Sequence, residues 1–128
     1  AANYLSPVLL IQKLIDKMGG KQPTHVLNIG SMGGFQGSSK FPGLSIYSST
    51  KAALASLTEC LAEEFKDRNV FFNCLALGAV QTEMLELAFP GYKAPMGPGA
   101  MAKYIVEFAL NGYKYYNGKV LPLSLSTP

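Results

Sequence analysis

The stretch Tyr47-Ser48-Ser49-Thr50-Lys51 opens a run, continuing to about Lys66, in which Leu54, Leu57, Leu61 and Phe65 recur at helical spacing. An apolar, β-rich segment stands on each side of it: Thr24-His-Val-Leu-Asn-Ile-Gly-Ser31 before, Val70-Phe-Phe-Asn-Cys-Leu-Ala76 after. A helix set between two buried strands is a crossover unit. It predicts that the two strands run parallel, with a right-handed connection. On the helix, Ser48, Ala52, Ala53, Ala55 and Ser56 are small and permit close approach by another helix.

The pattern extends outward from this unit. Leu5, Val8, Leu9, Ile11, Leu14, Ile15 and Met18 predict a first helix over about 2–18, closed by Gly19-Gly20, and Gln22-Pro23 marks the turn into the strand at His25–Ile29. Gly30-Ser31-Met32-Gly33-Gly34 turns the chain, and a polar loop at 36–43 leads to the Tyr47 helix. Beyond the second strand, 83–89 reads as a short helix and 90–95 as loop. Pro98 to Leu110 reads as a helix with proline at its start, and Asn117-Gly118 as a turn into a strand at Lys119–Leu121. The order α-β-α-β-α-β predicts an α/β fold, a parallel sheet with helices on both faces. Three strands make up half of a doubly wound sheet, which has about six. In such sheets ligands bind beyond the carboxyl ends of the strands.

The chain of 128 residues is long enough to bury a core, and with 48% hydrophobic and 15% charged residues it is globular rather than disordered. A net charge of +3, with Lys13, Lys17, Lys21 and Lys66 scattered among carboxylates, gives no track for a phosphate backbone, so nucleic acid is not expected as a partner. No apolar run reaches the length of a membrane span, and no membrane partner is expected. The two cysteines, Cys60 and Cys74, fall in apolar patterns without metal or disulfide spacing; they read as buried free thiols and favour a reducing, cytoplasmic setting. No signal peptide or initiator Met is visible, and the first residues already follow a helical pattern without a cap. The expectation is that the sequence is the later part of a longer protein.

Tyr47 and Lys51, four residues apart, lie one turn apart on a single helical face. An ammonium beside a phenol favours the phenolate and lowers a pKa that is ordinarily about 10, which makes a tyrosine usable as an acid and base near neutral pH. The strand-end Ser31, the Tyr-x-x-x-Lys helix and the segment Asn73-Cys-Leu-Ala-Leu-Gly78-Ala-Val80-Gln-Thr82 follow in the order of the short-chain dehydrogenase/reductase family, whose C-terminal half this chain resembles from Asn3 to the Val120 strand. The resemblance implies the second half of a Rossmann-like domain over 1–128, with the nucleotide-phosphate-binding half lying before position 1. It also implies an oxidoreductase that interconverts a small-molecule carbonyl and an alcohol with NAD or NADP, working as a homodimer or homotetramer. The small residues of the Tyr47 helix and the apolar face of the first helix offer surfaces for pairing about a two-fold axis.

By the same resemblance Tyr47 is the general acid/base, Lys51 lowers its pKa and holds the nicotinamide ribose, and Ser31 steadies the substrate oxygen. Asn3 supplies a main-chain carbonyl to a water relay, and Gly78, Val80 and Thr82 flank or hold the nicotinamide carboxamide. Pro7 agrees with the role of Asn3, because it has no N–H to give that carbonyl. Plainer readings stand beside these: Ser31 capping its own turn, Asn3 on the surface, Pro7 in an ordinary first turn, and Thr82 as a helix N-cap. Met84, Leu85, Leu87 and Phe89 read equally as an apolar lid and as core.

The chain departs from the family in having Leu77 where proline is usual. Its gap from Ser31 to Tyr47 is also longer by about three residues, an insertion that a surface loop tolerates. Gly30, Gly33, Gly34 and Gly37 lack the spacing of a phosphate-cradling turn. Two other classes fit the sequence less well. A serine hydrolase with Ser31 in an elbow is disfavoured by Ile29 two residues before it, and by the single histidine, His25, which precedes Ser31 and reads as structural. A catalytically silent dinucleotide-binding or sensing protein would have no need to keep Asn3, Ser31, Tyr47 and Lys51 together.

Overall fold

A computed structural model describes residues 2–31, 45–78, 91 and 97–124. Among the described residues three helices and three strands alternate: α1 (Ala2–Leu14), β1 (Thr24–Ser31), α2 (Ser45–Glu64), β2 (Val70–Leu77), α3 (Pro98–Asn111) and β3 (Val120–Leu123). The sheet order is β1-β2-β3, parallel throughout, with Asn28 opposite Cys74, Ser31 opposite Leu77, and Cys74 opposite Val120. The expected element order and parallel pairing are both present. Of the turn expected at 30–34, Gly30 and Ser31 belong instead to β1; residues 32–34, the loop at 36–43, the helix at 83–89 with its apolar side chains, and the loop residues 90 and 92–95 lie outside the described residues.

Strand alternation assigns the two faces of the sheet. Val26 and Phe72 point to one side, where they meet Ile11 of α1 and Ala62 of α2, with Leu61 and Phe65 packed against the cluster. Phe72 is fully buried and Val70 nearly so. His25 and Asn73 lie one residue out of phase and therefore face the other side. There the His25 ring meets Phe108 of α3 and Tyr113 at centroid distances of 5.8 and 6.0 Å. Helices thus cover both faces.

Element ends differ from the sequence reading in identifiable ways. The first α-helix stops at Leu14, and Ile15–Lys17 tighten into a 3-10 turn. The chain then reverses at Gly19, whose φ is +80° and whose Cβ, if present, would collide with the Arg68 carbonyl. Only glycine serves at that position. The second helix begins at Ser45 and ends at Glu64, and after a 3-10 turn Asn69 takes a left-handed φ of 61° and leads into β2. Pro7 lies inside α1 and past its first turn, since the helix begins at Ala2. Cys74 is buried as expected, but Cys60 is exposed, because its place on α2 turns it away from the sheet. No helix among the described residues is long and apolar enough to cross a membrane.

Candidate active site

Crossover geometry gathers the site. α1 precedes β1, and α2 connects β1 to β2, so each helix runs back against its neighbouring strand and starts near the carboxyl edge of the sheet. Asn3 lies in the first turn of α1, and Tyr47 in the first turn of α2 with Lys51 one turn further on. The side chains of Asn3 and Tyr47 lie outside the described residues, as do Val80 and Thr82 entirely. Ser31 is the last residue of β1, and Gly78 follows the last residue of β2.

Lys51 supplies the decisive contact. Its Nζ donates to the Ile29 carbonyl at 3.3 Å, which brings the ammonium to the strand end that carries Ser31. Ser6, Pro7, Asn28, Ile29, Lys51 and Leu54 help to line a cleft of about 480 Å³. One cavity thus lies between α1, α2 and the 26–29 stretch of β1, with Lys51 on its wall. At the neighbouring strand end, the Gly78 N–H donates to the Leu123 carbonyl at 3.0 Å, so the β2–β3 ladder continues one step past β2. A Cβ at Gly78 would collide with the Ser124 side chain, which explains the glycine sterically.

Several residues that support this edge carried no motif in the sequence. Gly30 lies between Ile29 and Ser31, and a Cβ there would stand 2.9 Å from the Cys74 Sγ. Burial pushes the Cys74 thiol up to about 11, against the smaller opposing effects of a hydrogen bond with the Gly30 backbone and the charge of Lys51. That thiol is packing, not a nucleophile. Asn28 Nδ2 donates to Thr58 Oγ1 at 2.9 Å, and Thr58 Oγ1 donates to the Leu54 carbonyl at 3.0 Å. The signal that could have found Asn28 is its position inside an apolar strand, because a polar side chain buried there must have partners.

On the opposite face the Asn73 amide is fully engaged. Nδ2 donates to the Tyr116 carbonyl at 2.9 Å and faces His25 Nε2 at 3.0 Å, while Oδ1 accepts the Lys119 N–H at 3.1 Å. His25 Nδ1 lies 2.9 Å from the Ala109 carbonyl, which can only accept. Nδ1 therefore carries the proton and Nε2 accepts from Asn73. Burial lowers the His25 pKa below 6.5, with the Ala109 hydrogen bond opposing it. His25 is structural, as its sequence position suggested. Six residues of extended chain, about 20 Å, separate it from Ser31 along β1, so the two do not form a hydrolytic pair. Among the described residues no group of His, Cys, Asp and Glu is arranged to hold a metal.

This geometry has close relatives. The family model for short chain dehydrogenases matches residues 1–93. Protein FixR of Bradyrhizobium diazoefficiens is 30% identical over 129 residues, covering 95% of this chain and 45% of its own. A 3-oxoacyl-[acyl-carrier-protein] reductase of Chlamydia trachomatis is 30% identical over 106 residues, covering 75% of this chain and 42% of its own. A structure described as a putative D-mannonate oxidoreductase of Haemophilus influenza with bound NAD superposes with a TM-score of 0.73 at 26% identity, over 94% of this chain and 48% of that one. The chain spans less than half the length of the two curated relatives. Its α/β architecture is Rossmann-like, and on the extent of the family match the chain belongs to the short chain dehydrogenases.

Proposed function

We propose that the chain is the catalytic half of an NAD(P)-dependent oxidoreductase that interconverts a small carbonyl compound and the corresponding alcohol. The single observation that carries the reading is the reach of Lys51 Nζ to the Ile29 carbonyl, because it joins the Tyr-x-x-x-Lys turn to the strand end bearing Ser31. A helix could hold Tyr47 and Lys51 one turn apart anywhere on a surface. Here that turn stands at the carboxyl edge of a parallel strand, where ligands of such sheets bind.

The donors present fit the sugar and nicotinamide end of a dinucleotide. Lys51 is an ammonium at that edge, suited to ribose hydroxyls. Val80 and Thr82 are the residues proposed to hold the carboxamide, with Gly78 beside them at the cofactor. The relative with bound NAD supports a nicotinamide cofactor, NAD or NADP. When bound, the cofactor supplies or accepts the hydride.

The chain's own groups handle the proton and the developing charge. In reduction, Tyr47 Oη gives its proton to the carbonyl oxygen; in oxidation, the phenolate takes the proton from the alcohol. Lys51 favours the phenolate and so brings the tyrosine into a useful range. The Ser31 hydroxyl donates to the substrate oxygen as charge gathers on it. The carbonyl of Asn3, to which Pro7 has no N–H to give, accepts from a water that resupplies protons by way of Lys51. Assembly as a homodimer or homotetramer through α1 and α2, and a cytoplasmic location, belong to the same proposal.

The test is the pH dependence of alcohol oxidation with NAD and with NADP in the parent, Tyr47→Phe and Lys51→Met. Tyr47→Phe should lose orders of magnitude in kcat while keeping its fold. Lys51→Met should move the rise in rate to higher pH and weaken cofactor binding. A fully active Tyr47→Phe protein would end the proposal.

A further inference from the structure

We infer that Asn28 and Thr58 are positioning residues that set where Lys51 stands at the end of β1. The inference rests on the reading of Lys51 given above, and extends it to a pair that touches neither substrate nor cofactor in that reading.

The two halves of α2 are attached to the sheet in different ways. The C-terminal half is embedded in the main core cluster through Ala62 and Leu61, with Phe65 just past its end, packed on Val70 and Phe72. Lys51, at the other end, lies outside that cluster. Thr58 stands one turn before Ala62, and from there back to Lys51 the helix is joined to β1 by the Asn28–Thr58 bond, by buried Leu54 and by the Lys51 contact to Ile29. Apolar packing has little directional preference and tolerates sliding. A hydrogen bond of 2.9 Å between two side chains, Asn28 at 8% exposure and Thr58 at 0%, does not.

The direction of the bonds is fixed. Thr58 has one hydroxyl hydrogen and gives it to the Leu54 carbonyl, so toward Asn28 it can only accept. Asn28 Nδ2 is the donor, and the line Asn28 amide, Thr58 hydroxyl, Leu54 carbonyl has one polarity from strand to helix. Lys51, Leu54 and Thr58 follow the spacing i, i+3, i+7 and share one face of α2. On the strand, Asn28 and Ile29 are consecutive, and Asn28, Ile29, Lys51 and Leu54 line the same cleft. One bond therefore fixes the register of the helix directly beside the carbonyl that takes the lysine.

The experiment compares four forms of the full chain: the parent, Thr58→Ser, Thr58→Val, and the double replacement Asn28→Leu with Thr58→Val. The first readout is amide hydrogen exchange along α2 by NMR. In Thr58→Val, amides 48–53 should exchange about tenfold faster, with a much smaller change at 61–64, because the core cluster still holds that end. Thr58→Ser should behave as the parent. The double variant restores an apolar match and with it overall stability, yet should leave 48–53 fast, since packing alone does not fix register. Should Thr58→Val fail to fold, the double variant and Thr58→Ser carry the comparison.

Uniform acceleration along α2, parent-like protection at 48–53 in the double variant, or a serine variant as fast as the valine would each overturn the inference. The second readout is the pH profile of alcohol oxidation, whose midpoint should shift in the double variant and stay put in Thr58→Ser. An unmoved midpoint in an active double variant also overturns it. A parent with no oxidoreductase turnover would defeat the functional reading instead, and the exchange data would still decide the role of the pair.

Discussion

Gly30 offers a prediction whose sign inverts with its neighbour. It lies in β1 and is not among the glycines with positive φ, which in the described residues are Gly19, Gly20, Gly91 and Gly118. Its backbone is therefore open to alanine, and what excludes a methyl group is the Cys74 Sγ, 2.9 Å from where the Cβ would stand. Overpacking of this kind costs about 1–3 kcal/mol. Replacing a strand glycine by alanine returns about 0.5–1 kcal/mol of backbone entropy. In the parent the first effect wins, and Gly30→Ala should destabilise by roughly 0.5–2 kcal/mol. In a Cys74→Ala background the obstruction is gone and the new methyl enters the space vacated by sulfur, so the same change should stabilise by about 0.5–1 kcal/mol. The coupling between the two positions should be about 1–3 kcal/mol. The assay is a double-mutant cycle by urea denaturation, followed by circular dichroism because the chain has no tryptophan. The reasoning is refuted if Gly30→Ala costs the same with and without Cys74.

Two further outcomes are expected. With the His25 pKa lowered by burial, the unfolded chain binds the extra proton first as pH falls. The stabilisation is complete above the unfolded value of 6.5 and is lost as pH drops from there through the lower folded value. Urea midpoints of the parent should therefore fall between pH 7 and pH 5 more than those of His25→Phe; equal slopes would remove His25 from the account. Gly78→Ala should push Ser124 away and part the ends of β2 and β3 at a cost of about 1–3 kcal/mol, seen as a lowered melting temperature and restored in Gly78→Ala with Ser124→Gly. No recovery in that double variant would mean that the close approach of Ser124 does not explain the glycine.

The fold was legible because its signals are periodic. Leu54, Leu61 and Phe65 at helical spacing, and strands apolar on both faces, leave little besides a covered parallel sheet. The placement of Lys51 was legible through a motif, and the Ile29 contact supplies its geometry. Element ends were less so. Met18 continues the apolar spacing of the first helix, but the close approach of the Gly19 backbone to the Arg68 carbonyl decides where that segment turns, and Arg68 is remote in sequence. Cys60 was misread for a related reason: a residue one position from an apolar stripe looks buried in a list of residues, and only the rotation of α2 on the sheet shows that it faces out. The Asn28–Thr58 and Gly30–Cys74 pairs were not legible, since each joins segments by a contact that no local pattern announces.

The two buried polar systems divide the labour of the sheet. Asn28 points to the α2 face, where Thr58 and the Lys51 contact share one helix; Asn73 points to the α3 face, where it ties β2 to His25, to the Tyr116 carbonyl and to the Lys119 N–H that leads into β3. The strands between them alternate, so Leu27 stands opposite Asn73 while Asn28 stands opposite Cys74. A disturbance at Asn73 therefore reaches the α3–β3 connection first, and one at Asn28 reaches the lysine first. Protonation of His25 should accordingly lower stability through the α3 face while leaving exchange at 48–53 of α2 close to its neutral-pH pattern, after allowance for the intrinsic pH dependence of exchange. Faster opening at both places, in step, would mean that the sheet transmits the change across its thickness and that the two systems act as one.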